Sequence, residues 1–318
     1  MTAAIAEEAA VRVLVVGDAN VDLVLRGDVV PRFGQAEQLL DSADLTLGSS
    51  AGIVAHGLAR LGIPTALAAT VGNDEFGRLT RDWLSKAGVD VSSLGVHPTL
   101  PTGLSVILSA PADRSILTLL GSIPTLTGDA VLAAVTGASH VHFASYFLLP
   151  GLAAELPSVL ASLRSRGITT SLDTNWDPAG RWAGLAAVLP LVDILLPNLE
   201  ELRAIAAAVG VTGSTDEDLA KGLAALGPRV VAKAGREGGW SVAADSPVVR
   251  APGLVLDAHD TTGAGDSFDA GYLAAVASGV QSEAERLRWA TVAGSLSTRA
   301  AGGTPAQATL TELTDHLA

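Results

Sequence analysis

Short β-branched apolar runs alternate along the chain with longer amphipathic stretches, and most of those stretches are closed by a glycine. The run VRVLVVGDA (Val11–Ala19) reads as a strand that stops at Gly17-Asp18. Helical spacing marks Ile53–Leu61, Phe76–Ala87, Leu152–Arg166, Leu199–Val209 and Ser267–Ala277. Gly62, Gly88, Gly167, Gly210 and Gly279 end them, as expected where the chain must turn left-handed to leave a helix. Strands fall between, at ITTSLD after Gly167, at Val192–Leu196 and at Arg229–Ala234. Parallel strands need long crossovers, and helical crossovers cover both faces of a sheet. The pattern therefore predicts an α/β fold, doubly wound around a mostly parallel sheet.

Two segments break the rhythm. Asp22–Leu47 and Val96–Ile123 contain DLVLRG, EQLLDSADLTL, TGLSVILSA and RSILTLL, with Pro and Gly between them and no helical run. Each predicts an antiparallel pair, and together they predict a small second sheet serving as a lid or a dimer surface. No fixed-period repeat or low-complexity linker divides the chain. Residues 1–318 are thus expected to form one domain, with the β lid inserted at about 22–47 and 96–123.

The 25 residues between Asp129 and Glu155 carry no formal charge, which is length enough for a membrane span. They also hold Gly137, His140, His142 and Pro150, and they divide into a helix (Ala130–Val135), a strand (His140–Ala144) and a turn. A buried core is the better assignment. His140 and His142 are expected on opposite sides of the sheet, and Trp83 and Trp176 in the core. The N-terminal MTAAIAEEAA has acids where a signal peptide needs a basic region, so a cytoplasmic location is expected. Net charge is -13, with three lysines and no basic run. That argues against nucleic acid or an anionic membrane as partner, since either needs a surface that displaces counterions. The absence of cysteine excludes disulfides, thiolate zinc sites and cysteine nucleophiles.

The most informative stretch is DTTGAGDSF, from Asp260 to Phe268. Its small residues let the amides of Gly263, Ala264 and Gly265 converge just where the helix from Ser267 begins. A glycine loop feeding a helix N-terminus suits phosphate or developing negative charge. Asp266 adds a carboxylate beside it, the pair that phosphoryl transfer to an alcohol requires. Taken alone, Asp266 reads more readily as a helix cap after a flexible turn.

DTTGAGDSF resembles the second signature of the ribokinase-like, or PfkB, family of sugar kinases. GDANVDLVL (Gly17–Leu25), LGSSAGIVAHGLARLG (Leu47–Gly62), VGNDEFGRLTRDWLSKAGVD (Val71–Asp90), VDILLPNLEEL (Val192–Leu202) and AKAGREGG (Ala232–Gly239) resemble its other elements, in the family's order. The resemblance implies a ribokinase-like fold and an ATP-dependent kinase, with Asp266 as catalytic base and Gly263, Ala264 and Gly265 as anion hole. It implies that Asn198 and Glu201 serve the nucleotide and Mg²⁺, the glutamate mostly through water. The same residues also form a capping-box pattern. Lys233, Gly235 and Gly238 would lie against the nucleotide, or simply form a tight turn. Asp260 and Thr262 are the candidates for a monovalent cation such as K⁺. Asn20, Asp22, Gly48 and Ser49 fall where the family binds its sugar. Two positions that commonly hold asparagine are Ile53 and Ile123 here, which points to a less hydroxylated acceptor, such as a deoxy sugar or a nucleoside.

Three other readings compete. Gly48-Ser49-Ser50-Ala51-Gly52 matches the G-x-S-x-G nucleophile elbow, with His259 beside Asp257 as the suggestive partners. A dinucleotide oxidoreductase would need G-x-G-x-x-G after the first strand, which Gly17-Asp18-Ala19-Asn20 lacks. A sugar- or nucleotide-sensing protein on a kinase fold would need no intact Asp266.

Overall fold

The computed structural model describes residues 12–35, 37–110 and 114–317. Val11 of the first expected strand, the N-terminal decapeptide and residues 111–113 of the expected lid lie outside them. The described strands, in chain order, are β1 (Arg12–Val16), β2 (Asn20–Gly27), β3 (Leu40–Leu47), β4 (Thr65–Gly72), β5 (Leu94–His97), β6 (Gly103–Ser109), β7 (Arg114–Leu119), β8 (Ala138–Phe143), β9 (Thr169–Leu172), β10 (Ile194–Leu195), β11 (Arg229–Lys233), β12 (Gly239–Val242) and β13 (Val249–Ala251). The helices are α1 (Ser50–Arg60), α2 (Glu75–Lys86), α3 (Gly128–Ala134), α4 (Pro150–Ser165), α5 (Leu185–Val188), α6 (Leu199–Ala208), α7 (Asp216–Ala224), α8 (Ala264–Ala277), α9 (Glu283–Ser297) and α10 (Leu310–Asp315).

Nine strands form one sheet in the order β13-β12-β11-β10-β9-β8-β1-β4-β5. Pairing is parallel from β5 to β11 and antiparallel at β12 and β13. Because strand side chains alternate, β1 feeds two cores. Val13 and Val15 pack with Val54, Leu58, Leu84, Tyr272 and Leu287 from α1, α2, α8 and α9. Leu14 and Val16 pack on the other side with Val131, Leu160, Leu163, Ile205 and Leu223 from α3, α4, α6 and α7. The doubly wound α/β class expected from the sequence is the one observed.

The second sheet has four strands, β3-β2-β6-β7, with β2 and β6 parallel at its centre. β2 and β6 each carry an antiparallel neighbour, β3 and β7. Val96 lies not in this sheet but in β5, at the edge of the large one. Every residue of β7 is exposed.

Two expectations fail for identifiable reasons. His140 and His142 share one face of β8, as residues two apart must. His140 Nε2 and His142 Nδ1 both lie 2.8 Å from Ser171 Oγ. Burial lowers their pKa values to about 4 and about 3, so both are neutral packing groups. Trp176 is 55% exposed and meets Trp182 edge-on at 5.2 Å; Trp182, not Trp176, fills the core. The charge-free stretch is divided among α3, β8 and α4, and no helix among the described residues is long and apolar enough to cross a membrane.

Candidate active site

Polar residues collect at the carboxyl ends of the parallel strands, where open α/β sheets place their ligand crevice. Asp18 and Asn20 follow β1, Ser145 follows β8, Asp173 and Asn175 follow β9, Asn198 follows β10, and Lys233 ends β11. Three of the five described non-glycine residues with positive φ stand here: Ser49 at 69°, Ser145 at 55° and Asn175 at 52°. Such backbone costs free energy and persists only where the surroundings enforce it. Asn175 Oδ1 supplies part of that enforcement by accepting from the Ser145 amide at 2.7 Å.

Gly263 is the N-cap of α8, and its φ of 69° favours glycine. A Cβ there would lie 2.7 Å from Gly303 Cα, so space forbids a side chain as well. The Ala264 amide donates to Thr261 O at 3.2 Å. Asp266 sits in the first turn and accepts from the Ser50 hydroxyl, which in turn accepts from Asn175 Nδ2 at 3.1 Å. The Asp266 carboxyl keeps a partly exposed edge, yet its surroundings withdraw enough water to push its pKa up to about 7. The charges of Asp173 and Asp18 push the same way, while the Ser50 bond and Lys233 oppose them.

Lys233 joins two buried carboxylates. Its Nζ lies 2.6 Å from Asp173 Oδ2 and 3.1 Å from Asp269 Oδ2, with both carboxylates buried. Burial disfavours the lysine's charge, but the two aspartates more than offset it and raise its pKa. Burial would likewise raise Asp173, but Lys233 and a hydrogen bond with Asp269 hold it low. Asp269 is pushed well above the ordinary value by burial, and its Oδ1 has no partner. One cation thus faces two buried carboxyls whose pKa values are pushed in opposite directions.

Asn198 and Glu201 form the capping box of α6 with both bonds made, Glu201 N to Asn198 Oδ1 at 2.9 Å and Asn198 N to Glu201 Oε2 at 2.8 Å. Glu201 Oε1 has no hydrogen bond among the described residues, and burial together with the Asp173 charge lifts this carboxyl to about 7. Gly235 and Gly238 line a cavity of about 500 Å³ with Lys233, Leu254, Gly265 and Phe268. Among the described residues no group of three or more acidic or histidine side chains could hold a metal ion.

At the start of β2, Asn20 Nδ2 donates to Asp22 Oδ1 at 2.9 Å, and both side chains are buried. Burial and the Asp18 charge raise Asp22 to about 7. A Cβ on Gly48 would stand 2.1 Å from Asp22 Oδ1, so that position must stay bare. The Ser49 hydroxyl caps α1, accepting from Gly52 N at 3.0 Å. Asp18 Oδ1 accepts from the Ala51 amide at 3.1 Å, and its charge is felt by both Asp22 and Asp266. Ile53 and Ile123 are 4% and 1% exposed. Ile53 packs on the Gly303 backbone, and Ile123 beside Gly103 and Asn20.

Asp260 accepts from the Thr262 amide and hydroxyl at 2.9 and 2.7 Å and from Gly302 N at 3.0 Å. Arg26 stands 3.7 Å from its Oδ2, and Arg114 of β7 donates to Thr262 Oγ1 at 2.9 Å. A cation from the small sheet therefore lies beside the Asp260–Thr262 loop, where the sequence alone leaves Arg114 either reaching a substrate charge or standing as a solvated turn arginine.

Asp18, Asp173, Asn175 and Asp269 are not singled out by the sequence motifs. The first three are polar residues immediately beyond parallel strands, which is a readable signal. Asp269 lies three residues after Asp266, on the same face of α8. Ser50 meets Asp266 and Asn175, and no histidine, so the nucleophile-elbow reading has no base.

Residues 11–310 match the pfkB family carbohydrate kinase description. The chain belongs to the PfkB family of carbohydrate kinases. An ATP-dependent ribose-1-phosphate kinase of Halopiger xanaduensis is 31% identical over 275 residues, 83% of this chain and 84% of that protein. The structure of Arabidopsis thaliana ribokinase complexed with ribose and ATP superposes with a TM-score of 0.83 at 25% identity, covering 97% of this chain and 99% of that one. A fructokinase double mutant from Vibrio cholerae, in a form with fructose, ADP and potassium bound, gives a TM-score of 0.81 at 23% identity over 98% of this chain and 99% of that one.

Proposed function

We propose that the protein transfers the γ-phosphoryl group of ATP to a hydroxyl of a sugar-like acceptor, with Asp266 as general base. The observation that carries this reading is the hydrogen bond from the Ser50 hydroxyl to the Asp266 carboxylate at the positive end of α8. An acceptor hydroxyl taking the place of Ser50 would meet the same carboxylate. Asp266 would remove its proton as the oxygen bonds to the γ-phosphorus, and the bond from phosphorus to the bridging oxygen of ADP would break. Negative charge on the γ-oxygens would be met by the helix dipole and amides around Gly263, Ala264 and Gly265. Adenine would lie in the cavity walled by Leu254 and Phe268, with Gly235 and Gly238 keeping the loop close. A coupled ADP assay with ribose, fructose, 2-keto-3-deoxygluconate, ribose 1-phosphate and adenosine tests this. ADP release dependent on one acceptor is expected; none with any would count against it.

Mg²⁺, when bound with ATP, supplies charge neutralisation across the β- and γ-phosphates. Glu201 fits a water-mediated hold on it, because one oxygen is fixed by the cap and the other is unengaged. A monovalent cation fits less well at Asp260, whose oxygens are already met by Thr262, Gly302 and the Arg26 guanidinium. Turnover is therefore expected to change less than about twofold when K⁺ is replaced by tetramethylammonium, since the protein's own cation already occupies the locality. A large loss would restore the cation.

Buried Ile53 and Ile123 offer the acceptor no hydrogen bond, which supports a deoxy sugar or nucleoside over a fully hydroxylated hexose. Arg114, whose charge acts on Asp22, supports a second possibility, an acceptor bearing its own anionic group. The four-stranded sheet would serve as the lid. Its exposed Ile116, Leu117 and Leu119 support pairing of two copies through it, which sedimentation velocity would read as a doubled mass.

The base must be ionised to act, and its carboxyl stands near 7 in the free protein. The value of kcat/KM is thus expected to be level above about pH 8 and to fall about tenfold per unit well below 7. A profile level down to pH 5 would contradict the assignment.

A further inference from the structure

A second cavity of about 500 Å³ opens between β3, the last turns of α1 and α2, and the loop at Thr304. His56, Arg60, Trp83 and Lys86 line it together with the hydroxyl-bearing Thr46 and Thr304, and no carboxylate does. In a chain with net charge -13 this is an unusual place. Arginines elsewhere commonly face carboxylates, as Arg12, Arg26, Arg78 and Arg203 do. Arg60 and Lys86 make no ion pair among the described residues, and Arg60 Nε is buried without a hydrogen-bond partner. A guanidinium Nε–H held out of water with nothing to bind costs free energy that an acceptor oxygen would recover.

The surroundings add shape. Gln307 Nε2 donates to Ile53 O at 2.9 Å and Ser267 Oγ at 3.0 Å, so its Oε1 accepts from His56 Nδ1 at 2.6 Å. That fixes the tautomer of His56 and leaves its Nε2 without a partner among the described residues. Burial, reinforced by the Arg60 charge, lowers the pKa of the ring. The indole of Trp83, half-buried at the same cavity, offers a flat apolar surface.

We infer that this cavity is a binding site for a small phosphomonoester, whose phosphate lies between Arg60 and Lys86 and whose organic part lies on Trp83. Two cations and two hydroxyls suit a dianion with several acceptor oxygens better than a single carboxylate. The site is separate from the residues that line the nucleotide cavity, and its occupation does not depend on the kinase reading.

Calorimetry with phenyl phosphate tests it on the full chain, with a non-hydrolysable ATP analogue present to fill the nucleotide cavity. Wild-type protein is expected to bind the probe, and Lys86→Gln and Arg60→Gln each to weaken it about tenfold or more. Trp83→Ala is expected to weaken phenyl phosphate while leaving inorganic phosphate unchanged. Lys86 is exposed, so its replacement leaves the fold intact and carries the test should Arg60→Gln fail to fold. Absence of binding to wild type, or equal affinity in Lys86→Gln, would overturn the assignment.

Discussion

Asp266→Asn is expected to lower kcat about 10³-fold while leaving ATP affinity within about tenfold, because a positioned general base contributes roughly 10²- to 10⁴-fold. The substitution keeps the size of the side chain and its contact with Ser50, so the N-terminus of α8 and the glycine loop before it keep their shape. What it removes is the group whose pKa the site has raised to about 7, close to the proton-transfer conditions a base needs near neutrality. A coupled ADP assay reads the rate, and calorimetry with a non-hydrolysable nucleotide reads the affinity. Equal losses in both would make Asp266 a structural residue instead.

The second large effect is on stability. Lys233→Met is expected to destabilise the fold by about 3–5 kcal/mol, the usual cost of removing one partner from a buried ion pair. The lysine side chain is 10% exposed and its partners Asp173 and Asp269 are 1% and 0% exposed, so water does not replace the lost cation. In the variant, Asp173 loses the interaction that holds its pKa low, and burial then raises it above the unfolded value. A raised carboxyl favours the folded state below the unfolded pKa and penalises it as pH rises through that range. The deficit should therefore shrink in acid, and Asp173→Asn in the same chain should recover part of it. Urea midpoints at pH 5 and pH 8 measure both; a pH-independent loss below about 1 kcal/mol would remove Lys233 from the centre of the site.

The periodicity of apolar positions made the doubly wound architecture readable, because the parallel strands of the large sheet sit between two helical layers and most long helices are followed by a glycine. Thr65–Gly72 was less readable as a strand, since its alanines carry little β preference although it lies beside β1. The DTTGAGD string marked Asp266 and the loop before it because that function depends on residues adjacent in sequence. Asp18, Asp173 and Asn175 escaped because they converge only when β1 and β9 are aligned in one sheet. The partner of Arg114 was unreadable for the same reason: its contact with Thr262 joins residues far apart in the chain. His140 and His142 show the opposite failure, where a strand's two-residue repeat had been enough to place both on one face.

The most direct measurement follows the phosphoryl group itself. Protein, ATP, Mg²⁺ and each acceptor of the panel are incubated, and phosphomonoester product and ADP are quantified together by phosphorus NMR. The account predicts equal amounts of the two with the preferred acceptor and neither with Asp266→Asn. ADP without a phosphorylated acceptor, or undiminished product from Asp266→Asn, would contradict it.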